Sequence, residues 1–233
     1  MYSILPNPSN YNTKVTRAKA SVKFIVVHYT ANDGDTARGN LNYFRNNNAG
    51  ASAHFFADDN EVCSSVPVDR IAWHCGASKY RHSQCRNENS IGVEMCSRKN
   101  QMGQYYITTA TQYKAAELIA SLMREYQIPM ENVLRHWDVT GKNCPAPLVM
   151  DSAWEFFKDI IRLYLHNGKP SEPKEVESMK YYETLDQIPA GELRETVRNL
   201  VTRGIIKGTG SGLHLSEDMV RMFVFLTRAG VLK

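Results

Sequence analysis

The stretch Val22 to His28, VKFIVVH, restricts the accessible folds more than any other part of the chain. Phe24, Ile25, Val26 and Val27 stand in a row, three of them β-branched, with no polar residue among them to face water. Such a run is a strand covered on both sides, and therefore central in a sheet with layers above and below it. His28 closes the run. A side chain at the end of a central strand sits on a rigid element, as metal ligation demands. The same position equally suits a histidine bonded to a backbone carbonyl.

The segments that follow alternate between strand and helix patterns. Thr36 to Asn46 reads as a helix with Leu41 and Phe44 on one face, ended by Asn46 to Gly50. His54 to Ala57 and Glu61 to Pro67 read as strands joined by the turn Asp58-Asp59-Asn60, and Val68 to Gly76 as a strand running into a loop. Trp73 and His74 fall on the lip of that loop, where the tryptophan serves equally as a core aromatic. Residues 78–89 are polar and loop-like. Asn89 to Cys96 is again a strand, with Ile91, Val93 and Met95 on one face and Gly92, Glu94 and Cys96 on the other. A carboxylate in mid-strand has to be paired, solvated in a cleft, or functional.

Thr109 to Tyr126 is a long amphipathic helix, with Thr109 and Gln112 forming a capping-box pattern. Val133 to His136 returns to the sheet edge. A further helix, capped by Ser152 and Glu155, runs through Trp154, Phe157 and Ile161 to Leu165 and stops at Asn167-Gly168. The fold class that results is α/β, a mixed central sheet flanked by helices, over residues 1–168, with residues 1–20 as an arm lying on it. Residues 169–180, apolar-poor and rich in Pro, Glu and Lys, read as a linker. Residues 181–233 form a small all-α domain with helices ending near Arg203 and Arg228, the second capped by Ser216. This segment is too small for a comfortable core of its own and is expected to pack on a copy of itself or on the main domain.

Composition narrows the function. The net charge of +4 is mildly basic, yet no nucleic-acid motif or aromatic-studded basic stripe accompanies it. No run is long and apolar enough to span a membrane. The five cysteines include no C-x-x-C pair, which fits synthesis in a reducing compartment. The N-terminal stretch has no apolar core of a signal peptide, so the chain is expected to be made in a host cytoplasm and to act elsewhere only after release.

The stretch Leu134 to Pro147, LRHWDVTGKNCPAP, carries the chemistry. His136 and Cys144 lie eight positions apart, with Lys142 two before the cysteine. Together with His28 they make two imidazoles and a thiolate, three good zinc ligands that leave a fourth position open. Alone, the His136–Cys144 pair fits equally a core histidine beside a buried thiol.

FIVVHYTAN, SAHFFADDNEV, IAWHCG, NSIGVEMCS and RHWDVTGKNCP, in this order over roughly residues 20–168, resemble the zinc-dependent N-acetylmuramoyl-L-alanine amidases of the type-2 family. That family includes phage and prophage endolysins and is related to peptidoglycan recognition proteins. The resemblance implies one catalytic Zn2+ on His28, His136 and Cys144. It implies hydrolysis of the amide between N-acetylmuramic acid and L-alanine in bacterial peptidoglycan. It makes Glu94 the acid/base that takes the proton of water, and Lys142 the cation facing the oxyanion. Some phage amidases carry a catalytic tyrosine where this chain has Ala53, which leaves the acid/base role to Glu94 alone. Trp73, His74 and His54 are candidate substrate contacts, with His54 read as structural or groove-lining rather than as a zinc ligand.

Two rivals stand beside this reading. One is a non-catalytic peptidoglycan-binding protein of the same fold, although such relatives generally lack the cysteine ligand. The other is a metal-free thiol hydrolase using Cys144 and His136. Residues 181–233 weakly resemble a single S-layer-homology-like module, which implies attachment to a cell-wall polymer or homo-oligomerisation. Lys174-Glu175-Val176 can be encoded by a ribosome-binding sequence ahead of Met179, so a free tail starting at Met179 is expected to assemble with the full chain.

Overall fold

A computed structural model describes residues 15–47, 49–167, 181–207, 212–213 and 215–228. The chain divides into two compact units, Met1–Pro170 and Ser171–Lys233.

The first unit is built on a five-stranded mixed sheet. Its strands are β1 (Phe24–Tyr29), β2 (Phe55–Ala57), β3 (Val62–Ser64), β4 (Ser90–Met95) and β7 (Val133–Arg135), in the order β3-β2-β4-β1-β7. The pair β5 (Arg98–Lys99) and β6 (Tyr105–Tyr106) lies outside it. β1 is parallel to both β4 and β7, β2 is parallel to β4, and β3 closes the edge antiparallel to β2. β1 is flanked on both sides, as its unbroken apolar sequence requires. Ile25, Val26 and Val27 are fully buried, each worth about 1.5–3 kcal/mol of apolar burial.

Alternation along the strands separates two environments. Ile25 and Val27 of β1 and Ile91, Val93 and Met95 of β4 join the main core. That core also takes the apolar faces of α2 (Thr109–Tyr126) and α4 (Asp151–Asn167), which pack on each other. Phe24 and Val26 face the other way, onto Cys75, Cys85, Leu134 and Val139. α1 (Ala37–Asn46) packs on β2 and β3 through Ala37 and Leu41, and α3 (His136–Thr140) leaves β7 directly.

Several expectations need correction. Val68–Gly76 is not a strand. Apart from one bridge, Thr16 to Arg70, its backbone bonds are irregular: Asp69 and Ile71 bond the arm, Trp73 bonds Ser52 through both its amide and its carbonyl, and the His74 and Cys75 amides bond the Asn87 side chain. The α2 cap is Thr108 rather than Thr109: the Thr108 hydroxyl accepts from the Thr111 amide, while Gln112 donates to the Ile107 carbonyl. Ser152 lies inside the first turn of α4, and Glu155 pairs with Lys158 (2.6 Å) and Arg162 (3.5 Å). Of the arm, residues 15–20 bear out packing on the domain. Arg17 donates to the carbonyls of Val68 (2.9 Å), Asn87 (3.2 Å) and Ser90 (2.7 Å). Burial brings that guanidinium down to about 10.

The second unit holds α5 (Glu192–Thr202), α6 (Glu217–Arg228) and one short antiparallel pair, β8 (Tyr181–Tyr182) with β9 (Leu215–Ser216). It is therefore not purely helical. It has a core of its own, with Tyr182, Ile188, Val197, Leu200 and Val220 buried together, contrary to the expectation from its length. Met179 and all of the expected linker, residues 169–180, lie outside the described residues. Among the described residues no helix is long and apolar enough to cross a membrane.

Candidate functional site

The expected ligands converge at the carboxyl ends of the parallel strands, where open α/β sheets place their sites. His28 is the fifth residue of β1 and the Cα partner of Glu94 in β4. His136 is the first residue of α3, immediately after β7. Cys144 returns to the same place because Gly141 ends α3 with φ 84°, a left-handed conformation that favours glycine. The returning loop is fastened by the Trp137 amide donating to the Cys144 carbonyl at 2.8 Å. One donor atom each from His28, His136 and Cys144 lie within 4.8 Å of one another, and all three residues are buried. The His28 and His136 rings meet edge to face, centroids 4.6 Å apart.

Electrostatics prepare this cluster for a cation. Burial, with the nearby His74, His136 and Lys142, holds His28 well below the usual histidine range. Burial, then Lys142 and His74, lowers His136 to about 4. Both imidazoles are therefore neutral at physiological pH and carry a lone pair. Nδ1 of His136 is buried and makes no hydrogen bond among the described residues. A buried ring nitrogen without a partner is costly, and a bound metal ion would relieve that cost by taking its lone pair. Burial, and then Glu94, pushes the Cys144 thiol up to about 12. A thiol that resists ionisation in isolation but faces two imidazole lone pairs suits a soft divalent metal, which ionises it on binding. The donor set thus fits zinc.

Glu94 stands beside the cluster, its Oε2 buried and without a hydrogen bond among the described residues. Burial raises it to about 8, opposed by Lys142 and reinforced by Asp35. Lys142 is exposed and lines both clefts that open on the cluster, of about 670 and 680 Å³. Trp73 lines the first cleft, 44% exposed, so it is not a core aromatic. Tyr29, Tyr43 and Asp35 line the second.

The other two candidates differ from expectation. His54 is fully buried, so the candidate substrate contact is corrected to a structural one. Its Nδ1 accepts from the Gly92 amide at 2.9 Å, and its Nε2 lies 3.0 Å from the Arg70 carbonyl. His74 borders the first cleft, but both its ring nitrogens have protein partners, His28 (3.0 Å) and Ser90 (3.1 Å).

Sequence reasoning missed the supports. Arg135 grips Asp138 through two parallel hydrogen bonds of 3.0 and 2.8 Å and donates to the Val149 carbonyl at 2.6 Å, fixing the start of α3 and hence His136. The spacing R-H-x-D was the available signal. Asn87 Oδ1 accepts from the amides of His74 (3.1 Å) and Cys75 (2.9 Å), a long-range clamp with no local signature.

The family described as N-acetylmuramoyl-L-alanine amidase, the type-2 amidases, matches residues 18–147. CwlL of Bacillus licheniformis is 37% identical over 155 residues, covering 62% of this chain and 41% of its own. XlyB of Bacillus subtilis (strain 168) is 32% identical over 174 residues, covering 75% of this chain and 52% of its own. The chain spans about half the length of these relatives. Among solved structures, the catalytic domain of XlyA aligns with a TM-score of 0.56 at 30% identity, over 68% of this chain and 98% of that one. PlyL aligns with a TM-score of 0.56 at 31% identity, over 69% and 94%. The sheet, the cluster at its carboxyl edge and these matches agree: the chain belongs to the type-2 N-acetylmuramoyl-L-alanine amidase family.

Proposed function

We propose that this chain hydrolyses bacterial peptidoglycan at the amide between the lactyl group of N-acetylmuramic acid and the L-alanine of the stem peptide, as an endolysin-type enzyme with one zinc ion on His28, His136 and Cys144. The observation that carries this reading is the juxtaposition of two neutral imidazoles, one of them orphaned, with a buried thiol and a carboxyl raised to about 8. Zinc supplies Lewis acidity toward a carbonyl and toward water. Glu94 takes the proton of the attacking water and returns it to the leaving amine. Its raised value suits the second task, and a cation nearby lowers it for the first. Lys142 faces the developing oxyanion with a fixed positive charge. Trp73 offers a flat apolar surface to the substrate.

The thiol-hydrolase rival needs an ionised Cys144, and a thiol pushed up to about 12 argues against it. Residues 181–233 are assigned to binding a wall polymer or to self-association, with the free tail from Met179 as a partner. Synonymous changes across codons 174–176 that leave a small second product intact would rule that tail's internal start out. The chain acts on the wall after its release.

The test uses purified cell walls, following turbidity and new N-terminal L-alanine, with and without chelator and after zinc is restored. New alanine termini that vanish with chelator and return with zinc support the reading. New reducing sugar ends, or cleavage indifferent to chelator, overturn it. Wall binding without cleavage favours the non-catalytic rival.

A further inference from the structure

We propose that His74 and Ser90 form a positioning relay that locks His28 in one tautomer, so that Nδ1 of His28 carries the lone pair offered to the metal. The inference rests on the zinc reading above and concerns residues outside the ligand set.

The relay takes its direction from a group that can only accept. Ser90 Oγ donates to the Arg86 carbonyl at 2.6 Å, which uses the single hydroxyl hydrogen. Ser90 Oγ, 3.1 Å from His74 Nε2, must then accept, so His74 carries its proton on Nε2. His74 Nδ1 is left as an acceptor, and it lies 3.0 Å from His28 Nε2. His28 therefore holds its proton on Nε2 and presents a bare Nδ1. That Nδ1 is the atom 3.7 Å from the Cys144 sulfur.

The relay is built into the fold. The His74 ring lies so close over Gly92 that a Cβ there would come within 2.6 Å of a ring carbon, so only glycine admits the imidazole. Gly92 is also the residue whose amide holds His54, and the His54 ring meets His74 edge to face at 5.8 Å. Asn87 clamps the backbone of His74 and Cys75. Both ring nitrogens of His74 are thus committed, which makes it a positioning residue. Partners of this kind orient a ligating imidazole and raise its basicity.

The test uses the full chain stripped of metal. Side-chain 15N spectra of the imidazoles report the tautomer of His28 in the unsubstituted protein. Zinc affinity is measured by competition with a chromophoric chelator for the wild type, His74→Asn, His74→Leu and Ser90→Ala. Asparagine places its Oδ1 where His74 has Nδ1, so His74→Asn retains wild-type affinity, whereas His74→Leu loses about 10–100-fold. Ser90→Ala falls between them. A proton found on Nδ1 of His28, or His74→Leu binding zinc as tightly as the wild type, overturns the relay. A wild type that binds no zinc overturns the zinc reading instead, while the tautomer spectrum still tests the relay.

Discussion

Replacing Glu94 by Gln in the metal-free protein gives the sharpest test of how its carboxyl is held. Burial raises Glu94 from 4.5 to about 8. A folded value above the ordinary one means that the folded state holds the proton between these two pH values and the unfolded state does not. The stability contributed by this proton is fully present below pH about 4.5 and is lost as pH rises through about 8. At about 1.4 kcal/mol for each tenfold change in the acid constant, the gap sets a ceiling of about 5 kcal/mol. Glu94 is only partly enclosed as a residue, so solvent screens its charge and about 2–3 kcal/mol is expected in a medium of intermediate dielectric. A glutamine at this position has no charge to bury. With chelator present, calorimetry should find E94Q and wild type melting together at pH 4. At pH 9 the variant should melt roughly 5–10 °C higher. Equal melting temperatures at pH 9, or an offset independent of pH, would refute this account of the carboxyl.

Other consequences can be measured directly. Zinc uptake by E94Q should release about one proton at neutral pH, from Cys144, because both imidazoles are already neutral. Calorimetry in buffers of different ionisation enthalpy would read this count, and two protons or none would contradict it. Asp138→Ala strips Arg135 of its two-pronged partner and should destabilise by about 2–4 kcal/mol in denaturant unfolding, leaving Asp151 as partial relief. Gly92→Ala drives a methyl group into the His74 ring and should destabilise by about 1–3 kcal/mol in thermal unfolding, an effect that His74→Ala in the same chain relieves.

Much of the frame was legible because it rests on local pattern. The apolar run into His28 marked a central strand, and the alternation Ile91, Val93, Met95 against Gly92, Glu94 put the carboxyl on the site face. What was not legible depends on partners distant in the chain. Thr108 and Thr109 are interchangeable by propensity, and the fold chooses Thr108 because its hydroxyl and that of Thr111 both bond Asp59. Val68–Gly76 has strand-like residues, but the groups that satisfy its backbone lie in the arm, at Ser52 and on Asn87. His74 looked like a residue of the cleft lip. Its commitment to His28 and Ser90 exists only once the sheet brings Gly92 beneath its ring.

His28 and Glu94 are partners across a parallel ladder, so the span between imidazole and carboxyl is graduated by the peptide repeat, with strands about 4.8 Å apart. The backbone acts as a ruler for the chemistry. Side chains between sheet and helices can be exchanged for others of similar volume, weakening or strengthening the domain while that span stays fixed. A slip of one residue would turn Glu94 toward α2 and α4 and take Ile91, Val93 and Met95 out of the core, so the register that sets the span is held by the same core.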